Sequence, residues 1–429
     1  MRNIREKALF IIDSVFNKGA FLEEELDILR KGKISDRDFA FVREISSGVI
    51  RNRSYIDYII EKNSSLKIKR IHKIIFIILE MGIYQMYFLD KVPNYSTINE
   101  SVNLAKIYGN RGSASFVNGI LRAISRKERE KVTIKDSIEN LSIFYSHPKF
   151  YTEHLYKNYG EGFTKKLLKA NNEIPDFVIR ANTLKISREE LLNILSNEGF
   201  SGKKGLFKES LVIENPREIF NSRAFKAGYF YAQDLSSIRV SQLLNPKKNS
   251  KILDLCASPG GKTTHLSALM ENTGEILACD VNKFKIKTIR ENAERLGSKN
   301  IKTMVNDASI FKENFKDYFD YVLVDAPCSA IGLYRRKPDI KWNKSLEDIK
   351  TLAGVQKKIL NNAGSYVKKG GAIIYSTCSL SFEENEEVVK EFLKTKDFEI
   401  DKIEGKEIFR LYPFEGCDGF SITRLIRKA

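Results

Sequence analysis

Two cysteines in this 429-residue chain stand where a thiol could do chemistry rather than fill space. Cys328 lies in Asp325-Ala-Pro-Cys328-Ser and Cys378 in Ser376-Thr-Cys378-Ser, each directly after an apolar run that reads as a strand. A lone cysteine in such a place is ordinarily a small buried hydrophobe. The pair is different: strand-end placement brings both to one rim of a sheet although they are fifty positions apart, and Asp325 precedes Cys328 by three. That combination points to catalysis rather than to packing.

A ligand loop lies upstream. Asp254-Leu-Cys256-Ala257-Ser258-Pro259-Gly260-Gly261-Lys262-Thr263 is a tight glycine turn between a strand and a helix, where backbone amides can face a ligand closely. A phosphate loop needs a glycine where Cys256 stands, which argues against a nucleoside triphosphate site. Asp280 ends the next strand-like run, twenty positions beyond Gly260, where an acid can accept both hydroxyls of a ribose. Asp307 follows the third run and could reach an adenine amino group. Each aspartate alone would be an ordinary cap or turn residue, but at the ends of successive strands they outline an adenosine site. Lys262 reads either as a ligand contact or as a solvated lysine at a helix start.

These residues need a scaffold. From Lys251 onward the runs KILDL, EILACDV, IKTMV, YVLVDAP and AIIYST alternate with helical patterns such as 283–296 and 346–368. Such alternation predicts parallel strands with crossover helices, an α/β Rossmann-like domain over 241–429 with its ligand at the strands' carboxyl ends. Residues 136–240 mix helix (SHPKFYTEHLYKNYG, ISREELLNILSNEGF) and strand (DFVIRANTL), a small α+β module. Residues 1–135 predict an all-α domain: Leu9, Ile12 and Phe16 share one helical face, as do Ile98, Val102 and Ala105, and Val117, Leu121 and Ile124. Thr97-Ile-Asn-Glu100 has the form of a capping box at a helix start, and RKEREK at 126–131 reads as a solvated linker.

Composition bounds the partners. Lys and Arg total 72 against 55 Asp and Glu, and the excess of +17 should draw the chain to polyanions, nucleic acid first. Lys67, Lys69, Arg70 and Lys73, or Arg335, Arg336 and Lys337, could grip phosphate or form solvated faces; the second cluster is favoured because it follows the Cys328 motif. The five cysteines form no C-x-x-C pair, which suggests neither a disulfide framework nor a metal site and fits a reducing, cytoplasmic setting. The start, MRNIREKALF, lacks the apolar core of a signal peptide. The greasiest stretch, IIFIILEMGIYQMYFL, has 16 residues and contains Glu80, so it predicts a buried helix and no membrane span. A monomer is expected.

DLCASPGGKT, the acid at 280, DAPCS and STCS together resemble the RNA 5-methylcytosine methyltransferases. GVIRNRSYIDYII, GIYQMYFLDKVPNYSTINESVNLAK and ASFVNGILRAISR are similar to the NusB-like antitermination-factor domain that opens the bacterial 16S ribosomal RNA (cytosine-5) methyltransferases, and SHPKFYTEHLYKNYG and YAQDLSS look like their middle segments. The resemblance implies a class I methyltransferase domain using S-adenosylmethionine, with 16S ribosomal RNA as partner. It implies that Cys378 is the nucleophile, that Cys328 assists the later proton release, and that Asp325 hydrogen-bonds or protonates the cytosine edge. The loop Cys256–Lys262, with Asp280, Asp307 and Asp325, would hold the cofactor; Cys256 packs the loop rather than reacting. Two departures touch only loop conformation: Ser258 stands where alanine is common, and Ala330 replaces a frequent glycine. The same chemistry on transfer RNA, or a non-catalytic RNA-binding or antitermination factor, are the competing expectations.

Overall fold

The computed structural model describes residues 4–129 and 131–429; the first three residues and Glu130, which falls in the run 126–131 read as a linker, lie outside it. The chain forms two compact units. One comprises the residues up to Glu173 together with Tyr334–Lys344, the other Ile174–Leu333 with Ser345–Ala429. The expected division at 135/136 follows a change of sequence character, whereas the helices Ser137–Phe144 and Lys149–Ala170 lie in the first unit. That at 240/241 falls inside the helix Leu235–Leu244, whose Leu235, Ile238, Val240 and Leu244 belong to the core of the second.

Among the described residues, regular secondary structure in the first unit is helical. The apolar faces read from the sequence meet in its core: Leu9, Ile12, Ile98, Ala105, Val117, Leu121 and Ile124 are all buried. Each such large aliphatic side chain contributes about 1.5–3 kcal/mol by leaving water. The greasy stretch is the helix Lys73–Phe88, buried from Ile77 to Gln85 with Glu80 completely enclosed. The Thr97–Glu100 pattern does not start a helix. The helix is Asn94–Tyr108, entered from Pro93, and Thr97 is buried within it. A proline at the entry already sets the chain's direction and has no amide to satisfy. Tyr334–Lys344 is built into this unit. The Trp342 indole donates to the Ile50 carbonyl at 2.7 Å, and the buried Lys341 ammonium donates to the Arg51 and Ser146 carbonyls and to Asn172 Oδ1 at 3.2, 3.0 and 2.6 Å.

The second unit has two sheets. The first is antiparallel, in the order β2-β3-β1-β4, from β1 (Phe177–Ala181), β2 (Gly202–Lys204), β3 (Ser210–Ile213) and β4 (Phe230–Ala232). The second runs β10-β12-β9-β8-β5-β6-β7, with β11 on β12; its strands are β5 (Lys251–Asp254), β6 (Glu275–Asp280), β7 (Ile301–Val305), β8 (Phe319–Asp325), β9 (Val367–Thr377), β10 (Phe398–Ile400), β11 (Phe409–Leu411) and β12 (Phe420–Arg427). The predicted strands β5 to β9 pair in parallel. β12, which the alternation did not suggest, enters antiparallel against β9, with five of its eight residues buried. The chain fills β6 and β7 on one side of β5, then crosses to β8 and β9 on the other. Strand order therefore reverses between β5 and β8, the place where open α/β sheets bind ligands at their carboxyl ends.

Candidate active site

A cavity of about 220 Å³ opens at that reversal, lined by Asp254 at the end of β5, Asp325 at the end of β8, Tyr231, Gln233, Lys262 and the loop from Cys256. Gly260 adopts a left-handed φ of +98° before the helix Gly261–Leu269, and a side chain on Gly261 would run into the Tyr231 ring at 2.7 Å. Both glycines are therefore required by the turn and by close packing. The loop is clamped by Arg180 of β1, whose buried guanidinium donates to the Gly261 carbonyl at 2.7 Å, to Gln233 Oε1 at 2.6 Å and to Thr264 Oγ1 at 3.2 Å. Burial pushes this guanidinium down to about 10.

Asp254 accepts from Thr263 Oγ1 at 2.7 Å and is pushed up to about 7, chiefly by burial. Its other oxygen lies outside any hydrogen bond of good geometry, and the buried Gln233 Nε2 has no partner. An unsatisfied carboxylate oxygen and an unsatisfied amide donor lining one cavity fit a ligand end that offers both a donor and an acceptor, such as the amino-acid end of S-adenosylmethionine. Cys256 is held well above the ordinary thiol range by burial and then by Asp254, Asp325 and Asp280, so it stays a thiol, in keeping with a packing role.

Beside the cavity, Lys262 Nζ lies 2.6 Å from Asp325 Oδ2, and Ser376 Oγ donates to Asp325 Oδ1 at 2.8 Å. Burial opposes the lysine's charge, but Asp325 overrides it and Lys262 titrates above its ordinary range; the Cys378 sulfur, when charged, adds to that hold. Asp325 and Ser376 face each other in the β8–β9 register, so the two cysteine loops leave the sheet side by side. Cys328 Sγ and Cys378 Sγ are 2.7 Å apart. Hydrogen bonding to Cys378, then burial, raises Cys328 well above the ordinary thiol range. Ala330 has a left-handed φ of +60°.

The structure thus brings Asp325, Cys328, Cys378, Lys262 and the loop to one rim. Asp280 and Asp307 end the neighbouring strands but do not line the cavity: Asp280 accepts from the Asn282 amide at 3.0 Å, and exposed Asp307 accepts from Ser309. Between them Asn306 is buried with neither polar side-chain atom partnered, a candidate contact that sequence reasoning missed. It also missed Arg180 and Gln233, although the quoted YAQDLSS segment contains the latter. In the first unit Lys67, Lys69, Arg70 and Lys73 are exposed. The cluster favoured for phosphate fares differently: Lys337 is exposed, Arg336 half-buried and Arg335 buried at 4% exposure, because the segment packs into the unit's core. Among the described residues no group of three or more His, Cys, Asp or Glu could hold a metal, and no helix is long and apolar enough to cross a membrane.

Known proteins resemble this chain along nearly its whole length. The model described as 16S rRNA methyltransferase RsmB/F matches residues 241–425, the NusB family model residues 2–126, and the RsmF/B-like ferredoxin-like domain residues 147–220. A Bacillus subtilis (strain 168) protein named "Probable ribosomal RNA small subunit methyltransferase B" is 35% identical over 417 residues, 94% of this chain and 93% of its own. The Proteus mirabilis (strain HI4320) ribosomal RNA small subunit methyltransferase B is 32% identical over 396 residues, covering 92% of each. Among solved structures, PH0851 covers 98% of both chains at 25% identity and a TM-score of 0.80. Pyrococcus horikoshii NSun6 with SFG, an S-adenosylmethionine analogue, covers 70% of this chain and 99% of its own at 25% identity and a TM-score of 0.57. With a helical NusB-like domain ahead of a Rossmann-like catalytic domain, and a relative more than 30% identical along almost its whole length, the chain belongs to the S-adenosylmethionine-dependent RsmB/F family of 16S rRNA methyltransferases.

Proposed function

We propose that the protein methylates carbon 5 of a cytosine in 16S ribosomal RNA through a covalent adduct with Cys378. The observation that carries this reading is the pair of sulfurs 2.7 Å apart beside the Lys262–Asp325 ion pair at the strand reversal. Carbon 5 of cytosine is a poor nucleophile while the ring is aromatic. Addition of the Cys378 thiolate to carbon 6 breaks the aromaticity and makes carbon 5 enamine-like. Asp325, held between Lys262 and Ser376, meets the ring edge as an acceptor for the exocyclic amino group, while the lysine ammonium donates to the negative charge that develops at nitrogen 3.

S-adenosylmethionine supplies the methyl cation equivalent. Its amino-acid end would rest on Asp254 and Gln233 and its adenosine on the loop from Cys256 to Lys262, reaching past the cavity toward Asp280, Asn306 and Asp307 at the ends of the neighbouring strands β6 and β7. The carbon 5 proton must then leave before the carbon 6–sulfur bond breaks and returns its electron pair to Cys378. Cys328 is the acceptor. Its thiol is held high first of all by its hydrogen bond to Cys378 and next by burial, and the first of these weakens once that sulfur is a neutral thioether. Cys328 then gives its own proton to water and, as a thiolate, takes the one from carbon 5, directly or through a bridging water.

The base must be unstacked to reach both sulfurs, so a loop or melted helix of RNA is the substrate form. Exposed Lys67, Lys69, Arg70 and Lys73 offer phosphate contacts for it. Bisulfite mapping of 16S ribosomal RNA from cells with and without the protein tests the reading. One cytosine should lose protection when the protein is absent and stay unprotected with Cys378→Ala. Protection lost only in transfer RNA would redirect the substrate, and no change in any RNA would reject the activity.

A further inference from the structure

Two loops fifty residues apart place their sulfurs in contact, and strand register alone cannot fix this because both cysteines lie beyond the ends of β8 and β9. One short segment grips both loops. Glu384 is fully buried, and its carboxylate accepts the Ser329 amide at 2.7 Å on one oxygen and the Ser329 hydroxyl at 2.5 Å on the other. Gln356 Nε2 also donates to Glu384 at 3.0 Å while donating to the Pro327 carbonyl at 2.9 Å, which ties a second residue of the Cys328 loop to the same point. Asn385, next in sequence and buried, accepts the Thr377 hydroxyl at 2.7 Å and donates to the Ser379 carbonyl at 3.2 Å. One residue holds the neighbours of Cys328, the other the two residues flanking Cys378.

We propose that Glu384 and Asn385 are positioning residues that set the register of the two sulfurs, Glu384 through the Cys328 loop and Asn385 through the Cys378 loop. The inference rests on the reading that Cys378 attacks and Cys328 assists release. A carboxylate is needed at 384 because two donors of Ser329 converge on its two oxygens; an amide of the same shape turns a donor toward one of them. The bonds to the carboxylate are charge-assisted and hold the loop firmly.

The test separates register from reaction. Phenylarsine oxide reacts with two adjacent thiols, forming two arsenic–sulfur bonds and releasing water, so its uptake reports sulfur spacing without RNA or cofactor. The full chain should bind one arsenical through Cys328 and Cys378, with Cys328→Ser as the one-thiol reference. Glu384→Gln should bind it about 100-fold more weakly, as when two-point attachment becomes one-point. In single turnover with RNA and S-adenosylmethionine it should slow about 100-fold, the effect of a 1 Å misplacement, and accumulate a denaturant-resistant RNA adduct as misplaced Cys328 fails in release. Asn385→Leu should slow equally without accumulating adduct, because attack itself fails. Cofactor affinity by calorimetry should stay within twofold in both.

Ser329→Ala, which removes one donor and no core volume, should shift arsenical binding in the same direction and covers the case that Glu384→Gln misfolds. Wild-type arsenical binding in both Glu384→Gln and Ser329→Ala would overturn the brace. Weakened arsenical binding alongside a Cys378→Ala enzyme that still methylates RNA would uphold the brace and discard the covalent reading instead.

Discussion

One half-buried and one buried lysine are treated in opposite ways. Lys262, in the second unit, sits 2.6 Å from the Asp325 carboxylate, and its charge is held above the ordinary range despite burial. Lys341, in the first unit and 1% exposed, meets two backbone carbonyls and an asparagine oxygen, and burial followed by the Arg51 charge drops it well below that range. Burial penalises both ammonium groups, so the partner decides the sign. A carboxylate neighbour yields a fixed cation at the candidate active site. Carbonyl neighbours yield an anchor that ties Tyr334–Lys344 into the helical unit.

Replacing each lysine should break the contrast along different axes, and the larger effect falls on catalysis. Lys262→Met leaves Asp325 without its cation and the cytosine edge without a donor, so single-turnover methyl transfer should fall about 100-fold, the usual cost of one such donor. Thermal unfolding should move little. A variant that methylates at the wild-type rate would make Lys262 a packing residue.

Lys341→Met should leave turnover chemistry alone and act on stability. Three acceptors lose their donor, at about 1–3 kcal/mol for each buried group left unsatisfied, offset in part by removal of the ammonium's own desolvation. The pH dependence gives the sharper reading. Folded Lys341 releases its proton below the 10.5 of the free side chain, so the unfolded chain binds more protons and wild-type stability rises with pH toward that value. Urea unfolding at pH 7 and pH 9.5 should show the wild type gaining on Lys341→Met; parallel curves would mean that the buried group does not titrate differently.

A buried acid in the same unit provides the mirror image. Burial, and then the Asp57 charge, raises Glu80 well above 4.5, while burial raises Asp57 to about 6. The folded chain therefore binds more protons than the unfolded one above pH 4.5, and the stability present below that pH is lost as pH rises. Glu80→Gln should gain on wild type between pH 5 and pH 8, by about 1.4 kcal/mol for each unit by which the folded group was raised. An unchanged difference in unfolding free energy across that range would contradict the assignment.

The same contrast explains what could be read from the sequence. Asp325, Cys328, Cys378 and the Cys256–Lys262 loop were legible because residue type, spacing and strand-end position all point one way. The helical faces of Leu9, Val117 and their neighbours follow from period alone. Arg180, Gln233, Glu384 and Asn385 act through hydrogen bonds that tertiary structure creates, and no local pattern marks them. Arg335 failed as a surface cation for a related reason, since its segment leaves the α/β unit and is buried in the helical one. Thr97 carried the letters of a helix start, but Pro93 begins the turn earlier.

The division of labour between the two sulfurs is tested most directly by trapping the RNA. Cys328→Ala, incubated with ribosomal RNA and S-adenosylmethionine, can still attack carbon 6 through Cys378 and let carbon 5 of the base take the methyl group, but it loses the group that assists release, so it should give a denaturant-resistant protein–RNA band on a gel. Cys378→Ala and the double variant should give none. A band from Cys378→Ala and not from Cys328→Ala would reverse the roles, and no band from either while wild type methylates would contradict covalent catalysis by this pair.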